Sequence, residues 1–346
     1  MRFSQLAFAA LTAVTALAAP GPKPASNNYK GYLFIHFPLE DEAIYGSLSK
    51  GSNALAYNAL ANNTAILRST VGTKGLRDHY LLRAHDNTKF WIISTDLNAH
   101  AVNENFDLVS RNGSRSFVVF ESKDLINWSS SRLTPPLVDE SAGNVWAPEA
   151  TWDPSRNAYM VYWATRFFDQ KTDPGHNAQP IPGNKLMYSH TTDFKTFTPA
   201  KQWILNVDYP VIDVHVNKYP AAGPNAYVRF VKHEDPVFKV YQEISTTGLL
   251  GKWTHVKGGD YIEAFSAYEN NEGPFAFESI SEPGQWYLYM DENTEQSYLP
   301  AKANTLTDMS AWNLSDRSQF PKNVKHGSVL ALTGAEYDRV AKHYGV

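Results

Sequence analysis

The chain has 346 residues, no cysteine and a formal net charge of −4, and 43% of its residues are hydrophobic. Without a disulfide it must rely on a packed core, which a chain of this length is large enough to build. The small negative charge and the lack of basic clusters argue against nucleic acid or an anionic membrane surface as partner.

The first predicted element is an export signal at the N-terminus. Arg2 precedes an apolar run from Leu6 to Leu17, and Ala16-Leu17-Ala18 is typical of a cleavage site. This run is too short to span a bilayer. We therefore expect residues 1–19 to be a signal peptide and the mature protein to be secreted and extracellular.

Two further features agree with an exported chain. Residues 20–28, which are rich in proline, are predicted to be a flexible leader. Four Asn-x-Ser/Thr sequons favour glycosylation during export, and they begin at Asn62, Asn112, Asn127 and Asn313. Such triplets also arise by chance, so we expect only about two of them to be used.

From residue 29 onward the sequence indicates β-strands. Runs rich in β-branched and aromatic residues cover 32–37, 90–94, 117–120, 159–163, 227–231, 286–290 and 328–332. The one convincing helix is predicted over 335–343, with Thr333 as its N-cap. Residues 168–185 are predicted to be a long loop of the kind that often binds ligands. No linker marks a second domain, so residues 29–346 are predicted to form a single domain.

A small polar turn that leads into an aromatic residue recurs five times. The aromatic residues are Tyr57, Trp128, Phe197, Trp253 and Trp312, separated by 71, 69, 56 and 59 residues. A period of this size, filled with strand-like sequence, suits a four-stranded propeller blade. We therefore predict an all-β, five-bladed β-propeller of four-stranded antiparallel sheets with a short C-terminal helix. Blades present their inner ends to a shared central pocket, where residues remote in sequence can meet.

Three acidic residues occur near the starts of different predicted blades. Asp213 lies among valine and isoleucine, where an ionisable group is costly unless it is paired, which favours a functional site. A structural aspartate bonded to backbone N–H groups is the alternative. Glu272 precedes Gly273-Pro274, which fixes the backbone and allows a ligand to come close. Asp78 is the third acid.

These motifs resemble glycoside hydrolase family 43, the five-bladed propellers that cleave arabinosyl, xylosyl or galactosyl linkages. The resemblance runs over essentially the whole mature chain, and the order of the motifs also agrees with the family. Its carriers are Leu76-Arg77-Asp78, Lys123-Asp124-Leu125-Ile126-Asn127-Trp128, Val145-Trp146-Ala147-Pro148-Glu149, Ile212-Asp213, Glu272-Gly273-Pro274 and Lys325-His326-Gly327-Ser328-Val329.

The resemblance implies a catalytic role for each acid. Asp78 would be the general base that activates water, and Glu272 the general acid that protonates the leaving oxygen. Asp213 would orient Glu272 and favour its protonated form through like charge. Members of the family invert, which requires base and acid to be about 6.5–9.5 Å apart so that a water fits between them.

The sequence departs from the family pattern beside the base. The family has Asp-Pro there, whereas Asp78 is followed by His79, a change that removes a rigid φ and could re-aim the carboxylate. If Asp78 points away from the pocket, the base must be sought among Glu40, Asp41 and Glu42.

Three other residues are candidates for binding. Arg77 would hydrogen-bond a sugar hydroxyl or orient Asp78, with a surface ion pair as the alternative. Trp146 would stack on a sugar face, with core packing as the alternative. His326 matches the family histidine of the central channel, which in many relatives holds a structural calcium or sodium ion, and a histidine without metal is the alternative. No cofactor is expected to be required.

The leading hypothesis is an inverting hydrolase of plant cell-wall polysaccharide or oligosaccharide. An α-L-arabinofuranosidase is the first expectation, followed by β-xylosidase and β-galactosidase, in a monomeric protein. The alternative is a non-catalytic carbohydrate-binding propeller in which His79 marks a degraded base. A purely structural propeller ranks last, because a scaffold has no need of all three acids.

Overall fold

The computed structural model describes residues 28–181, 184–204, 209–292 and 297–346. Within these ranges the chain forms five four-stranded antiparallel sheets, which we call blades 1 to 5. The predicted signal peptide and nearly all of the predicted leader lie outside the described residues. No helix in the described ranges is long and apolar enough to cross a membrane.

Blade 1 combines strands from both ends of the propeller sequence, since its innermost strand is the last strand of the sequence. In sheet order it contains β20 (Lys325–Thr333), β1 (Tyr29–Phe37), β2 (Tyr45–Lys50) and β3 (Asn53–Ala59). Because β20 pairs along most of β1, from Tyr29 opposite Thr333 to Phe37 opposite Lys325, this sheet closes the ring of blades.

The other four blades are each built from consecutive strands. Blade 2 contains β4 (Leu76–Arg83), β5 (Phe90–Asp96), β6 (Phe117–Ser122) and β7 (Arg132–Leu133). Blade 3 contains β8 (Trp146–Asp153), β9 (Ala158–Thr165), β10 (Lys185–Thr191) and β11 (Lys201–Ile204). Blade 4 contains β12 (Val211–Lys218), β13 (Tyr227–His233), β14 (Lys239–Ser245) and β15 (Thr254–His255). Blade 5 contains β16 (Asn271–Glu278), β17 (Trp286–Glu292), β18 (Ser297–Ala303) and β19 (Asn313–Leu314).

The first strand of every blade faces the centre of the molecule. These inner strands, β20, β4, β8, β12 and β16, each contact the inner strands on either side, which closes a ring. The core lies mainly between neighbouring sheets, where buried aromatic and aliphatic side chains form several clusters. The prediction of a five-bladed propeller is confirmed.

The five repeated turns all occupy the same place in their blades. Each connects the third strand to the outermost one, for example β6 to β7 and β10 to β11, and all seven predicted strands are present. The C-terminal helix α2 spans Gly334–Tyr344, and a capping box between Thr333 and Glu336 begins it as the sequence predicts. A second helix, α1 (Phe106–Arg111), was not predicted because it is only six residues long.

Short 3₁₀ turns complete the structure at Leu60–Asn62, His100–Val102, Pro220–Ala222, Glu263–Phe265 and Met309–Ala311. The predicted loop at 168–185 has no regular structure over its described part before Lys185, where β10 begins. Arg166, which precedes this loop, and Asn184, near the end of it, line the central cavity described below.

Candidate active site

The inner strands share a backbone irregularity that shapes the centre of the propeller. Strands β4, β8, β12 and β16 each contain a β-bulge near their start. One residue at each bulge has a positive φ, namely Asp78 (51°), Ala147 (48°), Asp213 (47°) and Gly273 (56°). In blade 1 the pairing of β20 with β1 shifts register around His326. A bulge re-aims side chains, so successive residues of one strand can face the same space.

A cavity of about 600 Å³ lies where the bulges meet. All six residues proposed from the sequence line it, namely Arg77, Asp78, Trp146, Asp213, Glu272 and His326. The three carboxyl groups that are remote along the chain therefore face one space, as the prediction of a shared pocket requires.

Asp78 is held by hydrogen bonds on both carboxylate oxygens. Thr95 donates its hydroxyl to Oδ2 at 2.7 Å, and Nδ1 of His326 lies 3.3 Å from Oδ1. Burial opposes ionisation of Asp78, but the hydrogen bond and charge of His326, together with the charge of Arg77, outweigh it and lower its pKa to about 2. Thr95 is fixed in turn, because the N–H of Ala147 donates to its hydroxyl oxygen at 2.8 Å. Asp78 is therefore a preorganised carboxylate.

The substitution of histidine for the family proline leaves this carboxylate in the cavity. His79 is buried with its ring between blades 1 and 2, and its nitrogens lie 3.0 Å from the hydroxyl of Ser94 and 3.2 Å from the carbonyl of Ala43. Burial lowers the pKa of His79 to about 4, so the ring is neutral. His79 therefore packs as a core residue and does not line the cavity.

The three acids considered as substitutes for Asp78 are engaged elsewhere. Glu40 accepts from Asn323, Asp41 binds Arg68, and Glu42 binds Arg77. None of them lines the central cavity within the described residues. Asp78 is the base candidate that the geometry retains.

Arg77 combines the two interpretations that the sequence left open. Its guanidinium forms an ion pair with Glu42 at 2.9 Å, and Glu42 also accepts the N–H of Ala99 at 3.0 Å. The guanidinium lies over the rings of Phe37 and Phe106, at 4.8 and 5.5 Å from their centroids. These contacts fix Arg77 in the cavity wall, where it can donate to a ligand hydroxyl.

Burial favours the protonated form of Asp213. Its Oδ2 accepts the backbone N–H of Gly273 at 2.9 Å, which ties blade 4 to blade 5 directly beside Glu272. Burial raises the pKa of Asp213 to about 7, and the charges of Glu272 and Asp78 add to the shift while nearby cations oppose it. Both interpretations of Asp213 apply, since it faces the cavity and is bonded to backbone.

Glu272 is paired with a lysine that the sequence analysis missed. Lys232 is 2% exposed, and its ammonium lies 2.6 Å from Glu272 and 2.8 Å from Glu234. Lys232 stands directly opposite Ile212 in the register of β12 and β13. His233, at the end of β13, is buried, and Glu234 lies in the cavity wall.

Trp146 also serves both roles considered for it. It lines the cavity and packs against Leu97, Ala99 and Val109 on the side of blade 2. Nearby Glu149 is buried and accepts from His215 at 2.9 Å and from Tyr162 at 3.2 Å. Glu149 does not line the cavity.

Comparison with known proteins places the chain in a family. Residues 27–338 match the model of glycosyl hydrolase family 43-related proteins, whose description is "Probable glycosyl hydrolase domain". The chain belongs to this family.

Two further comparisons identify proteins that this glycosyl hydrolase family member resembles. It is 32% identical over 219 residues, or 59% of its length, to an α-L-arabinofuranosidase of Bifidobacterium longum, and it spans 20% of that protein. Its fold is similar to that of Penicillium chrysogenum α-L-arabinanase complexed with arabinobiose. That likeness has a TM-score of 0.51 and 13% identity, and it covers 82% of this chain and 77% of the arabinanase.

The family also implies an ion held near His326, and the donor set can be compared with that expectation. Nδ1 of His326 faces Asp78, and the nearby carboxylates raise the pKa of His326 to about 9 against the effect of burial, which makes it a cation. Calcium prefers six to eight oxygen ligands, and the described residues contain no group of three or more His, Asp or Glu side chains suited to a metal. The residues present do not fit a directly held ion, and the predicted channel ion stays a prediction.

A second buried ion pair was also missed. Lys325 binds Asp291 at 2.7 Å, both residues line the cavity, and both side chains are at most 5% exposed. The backbone N–H of His326 lies 3.3 Å from the same carboxyl group of Asp291. In the sequence, Asp291 and Lys325 are visible only as charged residues near the ends of β17 and β20. Charged residues are common at strand ends, so the sequence does not indicate that these two pair with each other.

Proposed function

We propose that this protein is a secreted, inverting glycoside hydrolase that releases terminal α-L-arabinofuranosyl groups from plant cell-wall polysaccharide or oligosaccharide. The observation that carries the proposal is the convergence of Asp78, Asp213 and Glu272, from three blades, on one cavity. The bifidobacterial relative is named an arabinofuranosidase, which supports arabinose ahead of xylose or galactose.

Asp78 acts as the general base. A base must be ionised, and the hydrogen bonds that lower the pKa of Asp78 to about 2 keep it ionised from mildly acidic pH upward. A water between Asp78 and the sugar gives its proton to Asp78 while its oxygen attacks the anomeric carbon. The bond to the leaving oxygen breaks on the opposite face, and the configuration inverts.

Glu272 acts as the general acid and gives its proton to the leaving oxygen. The ammonium of Lys232, 2.6 Å away, favours the ionised form of Glu272 in the ligand-free protein, while the neighbouring Asp213 readily holds a proton. Asp213 accepts the N–H of Gly273, the residue next to Glu272, and the charge of Glu272 adds to the raised pKa of Asp213. In the substrate complex Lys232 shifts toward Glu234, its second acceptor, and the proton of the pair moves to Glu272.

The size of the cavity supports exo action on a chain end. A volume of about 600 Å³ is that of a small-molecule site. The walls formed by Trp146 and Arg77 place an aromatic ring and a fixed donor on one sugar unit. A long polymer would need a cleft across the face of the propeller.

The test is hydrolysis of a panel of aryl-glycosides, followed by proton NMR of the first product. The proposal expects the α-L-arabinofuranoside to be cleaved fastest, with the β-anomer of arabinose appearing first, and Glu272→Gln to be inactive. Initial release of the α-anomer would disprove inversion. A wild-type protein that binds arabino-oligosaccharide without cleaving any glycoside would establish the carbohydrate-binding alternative instead.

Secretion is tested separately, by sequencing the N-terminus of the protein recovered from culture medium. The proposal expects the mature chain to begin close to Pro20, after the predicted cleavage site. An intact Met1 in intracellular protein would contradict it, without affecting the catalytic proposal.

A further inference from the structure

A second cavity, of about 430 Å³, lies between the outer parts of blades 3 and 4. Its wall on blade 3 is Trp203 of β11, and its wall on blade 4 includes Arg229, Glu243 and Trp253. Among the described residues it has no lining residue in common with the catalytic cavity. The proposed hydrolysis does not involve it.

The distinctive group in this second cavity is a buried arginine. Arg229 is 5% exposed, and its Nε and Nη2 donate to one oxygen of Glu243, at 2.7 and 2.6 Å. Its remaining terminal nitrogen, Nη1, is buried and has no hydrogen-bond partner in the described part of the chain. Arg229 therefore keeps an unused donor beside this cavity, and a buried donor without an acceptor is costly.

Aromatic rings hold the guanidinium and form the rest of the wall. Arg229 lies over the ring of Trp253 at 4.4 Å and over that of Trp203 at 5.0 Å. Both indole N–H groups donate to the carbonyl of Leu249, at 3.1 and 3.2 Å, so the rings are fixed in position. Both rings are only partly buried, which leaves apolar surface for a ligand.

The charge balance of the cavity narrows the class of ligand. Glu243 neutralises Arg229, so the cavity has no surplus positive charge to attract a phosphate or a carboxylate. It offers flat apolar rings beside a fixed donor, a carboxylate and the imidazole of His255. A sugar matches this set, because one face of its ring carries C–H groups and its edge carries neutral hydroxyls.

We propose that this second cavity is a non-catalytic binding site for a neutral plant cell-wall polysaccharide. It would hold one part of the polymer while a chain end occupies the catalytic cavity, which raises the effective concentration of chain ends. The choice of polymer rests on the proposed function, whereas the sugar class rests on the contacts of Arg229 and the two tryptophans.

The experiment measures binding to insoluble arabinoxylan and arabinan by depletion, together with kcat/KM on a soluble aryl-arabinofuranoside. The double variant Glu243→Gln, His255→Ala alters the cavity and leaves both tryptophans in place. Its matched control, Glu282→Gln, His343→Ala, changes the same residue types at exposed positions elsewhere. His255→Ala alone serves if the double variant has a lowered melting temperature, since His255 is exposed.

We expect the affinity of the cavity variant for polymer to fall about fivefold to tenfold, the size of one or two lost hydrogen bonds, while the control is unchanged. Its kcat/KM on the aryl-glycoside stays at the wild-type value. Equal polymer binding by the cavity variant and the control, or no polymer binding by the wild type, would overturn the inference and make the aromatic cluster a packing contact between blades.

The two proposals fail in different ways. A wild-type protein that hydrolyses no glycoside, but whose cavity variant still loses polymer binding, would disprove the proposed function and retain this site. Normal hydrolysis with equal polymer binding by both variants would remove this site alone.

Discussion

The outer and inner ends of the blades satisfy their polar groups in opposite ways. At the outer ends, each repeated turn satisfies its own backbone. Asp124 accepts the N–H groups of Ile126 and Asn127, and Asp193 accepts those of Lys195 and Thr196. At the inner ends, four bulges each leave a residue with positive φ, and two of these residues, Asp78 and Asp213, bond through their side chains to groups on another blade.

This difference separates stability from function within one repeat. The outer turn is a local structure. In blades 2 and 3 the residue after the turn aspartate, Leu125 or Phe194, has a positive φ and is buried. The inner bulge depends on contacts between blades, because Asp78 is held by His326 of blade 1 and Asp213 by Gly273 of blade 5. Changes at inner ends should therefore affect catalysis, and changes at outer ends should affect stability.

The largest effect is expected from the two acids at inner ends. Asp78→Asn removes the base and Glu272→Gln removes the acid, and each should lower kcat about 10²–10⁴-fold. The measurement is steady-state kinetics on an aryl-arabinofuranoside, with Asp193→Asn in an outer turn as the matched control. Full activity of Asp78→Asn would remove the proposed base, and a comparable loss in Asp193→Asn would erase the distinction between the two ends.

A methyl group added at an inner bulge is the next test. The Cβ of Gly273→Ala would lie 2.7 Å from Cγ of His326, at a φ of +56°. We expect about 1–3 kcal/mol of destabilisation, together with lost activity as His326 moves away from Asp78. Gly284→Ala is the control, because Gly284 also has a positive φ, of 84°, but no atom lies near its added Cβ. Equal activity in both variants would show that His326 does not need its present position.

The same division explains how far the sequence could be interpreted. The outer turns, the helix capped by Thr333 and the pairing of consecutive strands depend on residues close in sequence, and the predictions of the blades and the helix are confirmed. The candidate acids also reached the cavity as predicted, but their family resemblance supplied that expectation. Lys232 could not be predicted, because its strand also contains Arg229 and His233 and its partner Glu272 lies 40 residues further along the chain, in another blade.

Lys232 offers a sharper test within the inner region. Replacing it with glutamine removes the ammonium that favours the ionised form of Glu272. A general acid must be protonated, so activity is lost as pH rises through its titration, and this alkaline limb should move to higher pH in Lys232→Gln. The pH profile of kcat/KM measures the shift, with Lys257→Gln as the control, since Lys257 is an exposed lysine that pairs with Asp308 away from the cavity. An alkaline limb that moves to lower pH would contradict the role of Lys232.

The smallest expected effect is at the outer turn of blade 2, where Asp124 accepts bonds from both the main chain and the side chain of Asn127. Burial of Asp124 is slight and opposes ionisation, yet these bonds lower its pKa to about 2. A lowered pKa stabilises the fold above the unfolded value near 3.8, and the contribution is lost as pH falls from about 4 to about 2. Because the carboxyl is largely exposed and screened, Asp124→Asn should cost only about 0.5–1 kcal/mol at neutral pH.

The wild-type advantage in melting temperature should disappear toward pH 2, while activity on the aryl-glycoside is unchanged at every pH where the protein is folded. An advantage that persisted at pH 2 would show that the charge of Asp124 is not what stabilises the turn.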